Sequence, residues 1–488
     1  MKSHLLLASC LAFVLGSGVA CAQDNALVDA LVRKKILTPK EAESIRADLV
    51  KESVASDKIK ISGPVTELAL YGDLRLRYQY DNLDPQLNVA GDPGHGTQNS
   101  RFRFRLRLNA DFKLTDGWFG GVQLTTSQNS DTGSQTFDKG FENYPIFISR
   151  AFVGWKNSAD WLTVVAGKQP NPFYTTDMTW DPNINPSGLV EQVKFHKLFA
   201  DRGGEVDGYT KDGKAIVSSK DASFQSPWEL TLVAGQFCFD DNPESSLSLN
   251  TDAFLFEEQL IVGYKFNKNL KFTIAPAYLA YNAARINDSV NTQPFARSSD
   301  GFAVTDGVRE TANLSIIQLP GDITFKVAGI QTKFLWDATY NTEGGERTRD
   351  VYGINGKTEL VANSKGDLVQ IRRSNHSSQD DYAYQVGFQV GQNVKKGDCS
   401  LLATYRQVGL AAVDPNLNAS DWGLSRVNMR GWKFAGAYNL SDSVIFMISY
   451  FTGDNVRKDL VGGQATGGAK IADANSDQLL TLDVNVKF

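Results

Sequence analysis

"RFRFRLRLNADF", residues 101–112, alternates Arg101, Arg103, Arg105 and Arg107 with Phe102, Phe104, Leu106 and Leu108. In an extended strand successive side chains point to opposite faces, so the cations share one face and the apolar groups the other. A soluble sheet would turn the apolar face into a core. A membrane barrel would turn it out to lipid and keep the charges inside.

The same period of two runs along most of the chain. "LALYGDLRLRYQY" (68–80) sets Leu70, Leu74, Leu76 and Tyr78 against Asp73, Arg75, Arg77 and Gln79. From residue 68 there are about sixteen alternating segments, most near the ~9–11 residues that a tilted strand needs to cross a bilayer. Short turns such as "TDG" (115–117), "NSAD" (157–160) and "LSD" (440–442) alternate with long links over roughly 81–100, 170–188, 282–309 and 341–380. Short turns at one end and long loops at the other predict an all-β fold, a transmembrane antiparallel β-barrel of about 16 strands (range 14–18). One link, 198–226, is long where a short turn is due. It is either a miscounted hairpin or an insertion.

Trp118, Trp155, Trp161, Phe266, Phe272 and Tyr438 lie within a few residues of the short turns, as an interfacial girdle would. The last strand carries Leu480, Leu482, Val484 and Val486 on one face and ends in Phe488. That pattern resembles the signal by which barrel-assembly machinery recognises its clients, so Phe488 is the expected outer-membrane assembly signal.

Lys plus Arg number 50 and Asp plus Glu 55, a net charge of −5, which argues against a general nucleic-acid partner. Beyond the first two dozen residues no run approaches the ~18–20 apolar residues of a membrane helix. Residues 1–22 read as a signal peptide: Lys2 and His4, an apolar run over 5–15, and Ala20-Cys21-Ala22 before the cut. A lipidated Cys21 is the alternative, with Gly18 where a large aliphatic residue is wanted. Cys238 and Cys399 remain in the mature chain and are expected to be unpaired strand residues. Residues 23–55 predict a periplasmic helical hairpin, its second helix capped by Thr38 with Pro39 and Glu41 behind it. A linker (56–67) and the barrel (68–488) follow.

Two stretches resemble the "putative porin" family of Gram-negative outer membranes: "ALVDALVRKKILTPKEAESIRADL" (26–49) and "AGKQPNPFYTTDMTWDPNINPSGL" (166–189). The second matches the family's G-[RK]-x-P-N-P-F segment and the Asp-rich W-D…N-P stretch after it. The resemblance implies a β-barrel channel in the cell outer membrane and carries no defined substrate or catalytic residue.

An enzyme is not expected. His95, His196 and His376 sit in no nucleophile elbow or metal-ligand spacing, and no catalytic residue, metal or cofactor is assigned. His196, in "VKFHK", reads as a lumen or rim residue on a strand. The arginine rows are the constellation with functional content. Arg75 and Arg77 on one strand and Arg101, Arg103, Arg105 and Arg107 on the next would line one wall of a pore. Asp177 and Asp181, in the loop at 170–188, are the candidate constriction opposite. The expected function is passive diffusion of small hydrophilic solutes with an anion bias. In the plainer reading, the basic ladder only balances acidic loops folded inward. A substrate-specific transporter and a secreted soluble all-β binding protein are the alternatives from other classes. The expected partners are outer-membrane lipid, barrel-assembly machinery, the solutes and, by analogy, two further copies in a homotrimer.

Overall fold

The computed structural model describes residues 64–84, 97–126, 134–137, 140, 143–198, 206–209, 215–217, 227–240, 253–282, 285–287, 308–310, 312–350, 352, 354–362, 368–372, 374–422, 427–457 and 476–488. The expected signal peptide, the helical hairpin, most of the linker and His95 lie outside them. Residues 71–488 form one compact unit.

Sixteen antiparallel strands build a closed barrel. In chain order they are β1 (Val65–Asp84), β2 (Thr97–Leu114), β3 (Trp118–Thr126), β4 (Ile146–Lys156), β5 (Leu162–Lys168), β6 (Ser187–Lys194), β7 (Trp228–Asp240) and β8 (Ala253–Asn267). Then come β9, in two segments (Leu270–Ile274 and Ala277–Tyr281), and β10, also in two (Ser315–Gln318 and Gly321–Val327). The round finishes with β11 (Ile330–Asn341), β12 (Tyr382–Gly391), β13 (Cys399–Val408), β14 (Met429–Asn439), β15 (Val444–Asn455) and β16 (Ser476–Lys487). The all-β barrel expected from the alternation is the fold observed.

The 198–226 link is an insertion. β6 pairs directly with β7, Val193 opposite Leu232, and the link carries its own hairpin of Val206–Tyr209 with Ala215–Val217. The expected loop at 81–100 is shorter than its sequence suggested, because β1 and β2 run on into it. The free edge of β2 there is taken up by the segment Gln135–Thr136, with Arg103 opposite Thr136 and Phe104 opposite Gln135. His196 lies in a four-residue helix (Phe195–Leu198) just past β6, where its Nδ1 accepts from the Leu230 N–H at 3.2 Å. Cys238 and Cys399 form no disulfide.

The wall is inside out by the standards of a soluble protein. Phe102 (62% exposed), Ile148, Leu401, Phe434 and Ile448 point outward, while Arg103 (4%), Gln123, Thr404 and Ser449 face in. An apolar exterior over a polar interior is what a barrel in lipid requires. Trp118, Trp228, Phe266 and Tyr438 are exposed near the short turns. Trp228, Tyr264 and Phe266 lie in a row with centroids 4.5 and 4.6 Å apart, the first pair tilted and the second edge to face.

Proline breaks two neighbouring strands side by side. Pro276 interrupts β9 and Pro320 interrupts β10, each lacking the N–H that a ladder needs. The Ala275 N–H bonds the Pro320 carbonyl at 2.8 Å, so the gap is bridged across the two breaks.

The barrel closes where β1 meets β16, Asp73 opposite Lys487 through to Asp84 opposite Ser476. Past that register, Gly72 and Phe488 exchange backbone bonds of 2.7 and 3.1 Å. A Cβ on Gly72 would lie 2.6 Å from the Arg107 carbonyl oxygen and 2.8 Å from the Phe488 ring, so only glycine admits both neighbours. Gly72→Val is therefore expected to destabilise the closed barrel by about 1–3 kcal/mol. The temperature at which the folded band is lost in unheated gels should fall, and an unchanged temperature would show that the seam tolerates the side chain.

Candidate functional site

Among the described residues, two loops that bond to each other reach into the barrel. The first, residues 169–186, joins the short strands β5 and β6. It turns inward through local bonds: Phe173 N–H to Asn171 Oδ1 (2.9 Å), Trp180 N–H to the Thr176 carbonyl (3.0 Å) and Ile184 N–H to the Asp181 carbonyl (3.0 Å). Its Phe173, Trp180 and Ile184 pack on Val190, Val233, Phe237, Leu255 and Leu279 of the wall. On this side the inner face of the wall is apolar as well.

Polar contacts tie the same loop to the wall at the proline breaks. Gln259 accepts from the Tyr174 N–H at 2.7 Å and donates to the Tyr174 carbonyl at 3.0 Å and to the Ala275 carbonyl at 3.3 Å. Thr176 Oγ1 donates to Asp337 at 2.6 Å, and the Tyr174 hydroxyl donates to Asp322.

The second loop, residues 409–422 following β13, escaped the sequence reading. The signal for it is "LAAV" (410–413), an apolar run in a link between strands; Leu410, Ala411, Ala412 and Val413 are all buried. The two loops bond to each other, Asp181 N–H to the Leu417 carbonyl at 2.6 Å and Ala419 N–H to the Asp177 carbonyl at 3.0 Å. Arg406, fully buried on β13, holds the second loop by stacking 4.0 Å from the Trp422 ring and donating to the Trp422 carbonyl at 2.7 Å.

The six arginines singled out from the sequence all turn into the barrel, into a network of carboxylates and amides. Arg77 forks onto Asp483 at 2.7 and 3.0 Å and reaches Asp421 at 2.8 Å. Arg101 pairs with Asp81 at 2.7 Å, and Arg103 donates to Gln79 at 3.1 Å. Arg105 and Arg107 share Asp73, at 3.0 and 2.6 Å. Arg75 donates to Ser134 Oγ at 2.6 Å and has Asp483 at 4.0 Å.

Arg75, Arg105 and Arg107 line a cavity of about 300 Å³ together with Asp177, Asp181, Asn183, Asp421 and Lys433. The expected arginine wall and the expected acidic loop are thus brought to one space for three of the six arginines. Arg77 is joined to it through Asp421, while Arg101 and Arg103 lie outside its lining. Contact across the space runs through Asn183, which accepts from Arg105 at 3.0 Å and donates to Asp181 at 2.8 Å. Among the described residues no group of three His, Cys, Asp or Glu side chains is placed to hold a metal ion.

The loop carboxylates differ in their electrostatics. Burial alone would raise Asp177, but the Lys433 ammonium, 2.7 Å away, and the Arg406 guanidinium outweigh it and hold the carboxyl at about 2. Asp421 is likewise held far below the usual range, burial being overcome by Arg77 and Arg75. Asp181 goes the other way: burial raises it, opposed by backbone N–H bonds from Asn183 and Ser420. A carboxylate with a depressed pKa stabilises the fold above its unfolded pKa and loses that contribution as pH falls through its folded value. For Asp177 the shift corresponds to about 2 kcal/mol. Asp177→Asn should therefore cost most of its stability above pH 5, and the gap to wild type in thermal melts should close between pH 4 and 2. A gap that stays constant over that range would show that the carboxylate's charge is not what holds the loop.

No curated protein matches in sequence. Among solved structures, OmpF of Salmonella typhi in complex with daunomycin aligns at 12% identity over 88% of this chain and 100% of its own, with a TM-score of 0.42. OprB of Pseudomonas putida at high pH aligns at 11% identity over 86% and 94%, with a TM-score of 0.43. The family described as "Putative porin" matches residues 86–488, which is most of the chain and nearly all of the barrel. The chain belongs to that porin family.

Proposed function

We propose that this outer-membrane porin admits small hydrophilic solutes by passive diffusion, past a constriction between the arginines of β1 and β2 and the inward loop at 169–186. The observation that carries the reading is the 300 Å³ cavity inside the barrel, with Arg75, Arg105 and Arg107 on one side and Asp177 and Asp181 on the other. Opposite charges across a narrow, poorly screened space set up a transverse field, which orders water and orients charged solutes. Size is sieved by the two loops, which are bonded to each other and to the wall.

An anion bias is part of the proposal. Two guanidinium groups share the single carboxylate of Asp73, and Arg75 has no carboxylate within hydrogen-bond distance. Export by a cleaved signal over residues 1–22, recognition of Phe488 by barrel-assembly machinery and association as a homotrimer complete the reading. The Phe488 ring is exposed at the barrel rim, which suits a recognition element.

Reconstitution in planar bilayers should give stepwise conductance, and its absence from folded protein would end the channel reading. The double substitution Arg105→Gln, Arg107→Gln leaves Asp73 unneutralised, so the reversal potential in a salt gradient should move toward cation preference. No movement would mean that the arginines only balance the loops. Light scattering on detergent-extracted protein should give the mass of three chains; a single-chain mass would remove the trimer.

A further inference from the structure

The two sides of the cavity are not equally satisfied. Each loop carboxylate is occupied by groups of the protein itself. Asp177 accepts from Lys433 at 2.7 Å, Asp181 from the Asn183 and Ser420 N–H groups at 2.9 and 3.1 Å, and Asp421 from Arg77 at 2.8 Å. The guanidinium groups facing them retain donors. Arg75 and Arg105 each bury an Nε that has no hydrogen-bond partner. Asp483, 4.0 Å from Arg75, is already taken by both fork donors of Arg77. Those Nε atoms are enclosed, but Arg75 makes its hydrogen bond to Ser134 through Nη2 and lines the cavity, and a guanidinium with unmet donors beside a cavity favours an incoming acceptor. Pro182, Ala419 and Phe451 add apolar lining beside these donors.

We infer that this cavity is a binding site for a small organic carboxylate, its carboxylate taken by Arg75 and Arg105 and its carbon body set against Phe451 and Pro182. The planar guanidinium fork matches a carboxylate in geometry as well as charge. A volume of about 300 Å³ accommodates a body of several carbon atoms. A cation would have to compete with Lys433 for Asp177 and with Arg77 for Asp421, and a neutral solute leaves the guanidinium donors unmet. The inference rests on the channel reading for its route of entry. It names the class of solute that would dwell at the constriction.

The test uses the full-length protein in planar bilayers in potassium chloride, titrated with benzoate, with benzamide as the neutral isostere, benzylammonium as the cation and inorganic phosphate as a purely polar oxyanion. Benzoate should reduce the conductance saturably, and the other three should do so at least tenfold less effectively. Arg75→Gln should raise the half-blocking concentration about tenfold or more, the loss of one charge-assisted contact. If that variant fails to fold, Arg75→Lys, which keeps the cation and loses the fork, should raise it in the same direction. Equal block by benzamide, or a benzoate block unchanged in the variants, would overturn the site. Phosphate blocking as well as benzoate would overturn the organic-carboxylate assignment. Melting of the detergent-solubilised protein with benzoate is read in parallel and needs no channel. Stabilisation by benzoate that is lost in the Arg75 variant, without any conductance, would keep the site and overturn only the channel. Normal conductance with neither block nor stabilisation would do the reverse.

Discussion

A sheet in hydrocarbon can have no free edge, because each backbone N–H or carbonyl left unpaired there costs several kcal/mol with no water to offset it. The rest of this structure depends on that constraint. It forces β1 onto β16, and the last hydrogen bonds of that closure fall at Gly72 and Phe488, where backbone, ring and carbonyl meet too closely for any side chain. Closure at sixteen strands then sets a width that wall side chains cannot fill by themselves. The interior has to be furnished by the chain that connects the strands, and among the described residues the two inward loops do much of it.

They do so unequally. Toward β6 to β9 the first loop packs Phe173, Trp180 and Ile184 onto apolar wall residues, and that side is closed as a protein core is closed. Toward β1, β2 and β14 the lining is charged and the remaining cavity lies there. The division explains how arginines can be as buried as Arg77, Arg101 and Arg103 inside a barrel of this width. Ion pairs of this kind add little net stability, since desolvation consumes most of the Coulombic gain. Their effect is positional, because each guanidinium is held by carboxylates or amides at fixed angles. A rigid charged lining keeps its field pointing one way.

How much of this was legible in the sequence follows from which forces act locally. The alternation of "RFRFRLRLNADF" reports the faces of β2 directly, because the period of a strand is a property of the backbone. Strand number, the interfacial aromatics near the short turns and the arginine side of the interior followed from the same period. The approach of Asp177 and Asp181 to that side was suggested by the family-like loop. The second loop was missed because an inward loop differs from a solvated one only in burying apolar groups, and "LAAV" is too short to stand out. The extension of β1 and β2 was missed because Gln135–Thr136, which pairs the edge of β2, is recruited from a different link. His196 was misplaced on a strand because its role, accepting from Leu230, depends on a chain segment more than thirty residues away. Contacts between distant segments leave no periodic trace.

The joining of the two loops also imposes an order of events on folding. Asp177 lies on the link after β5, while Lys433, its partner, lies on β14, 256 residues later. Arg406, which also donates to the Asp177 carbonyl at 3.5 Å, and Leu417, whose carbonyl accepts from Asp181, belong to the last third of the chain. The first loop can pack on β6 to β9 as soon as those strands exist, but Asp177 has no ammonium partner until β14 is in place. Contacts of such long sequence separation are slow to form, since the intervening chain must first be ordered. The interior is therefore finished late, after most of the wall, and the cavity takes its final charge arrangement only when β14 has joined.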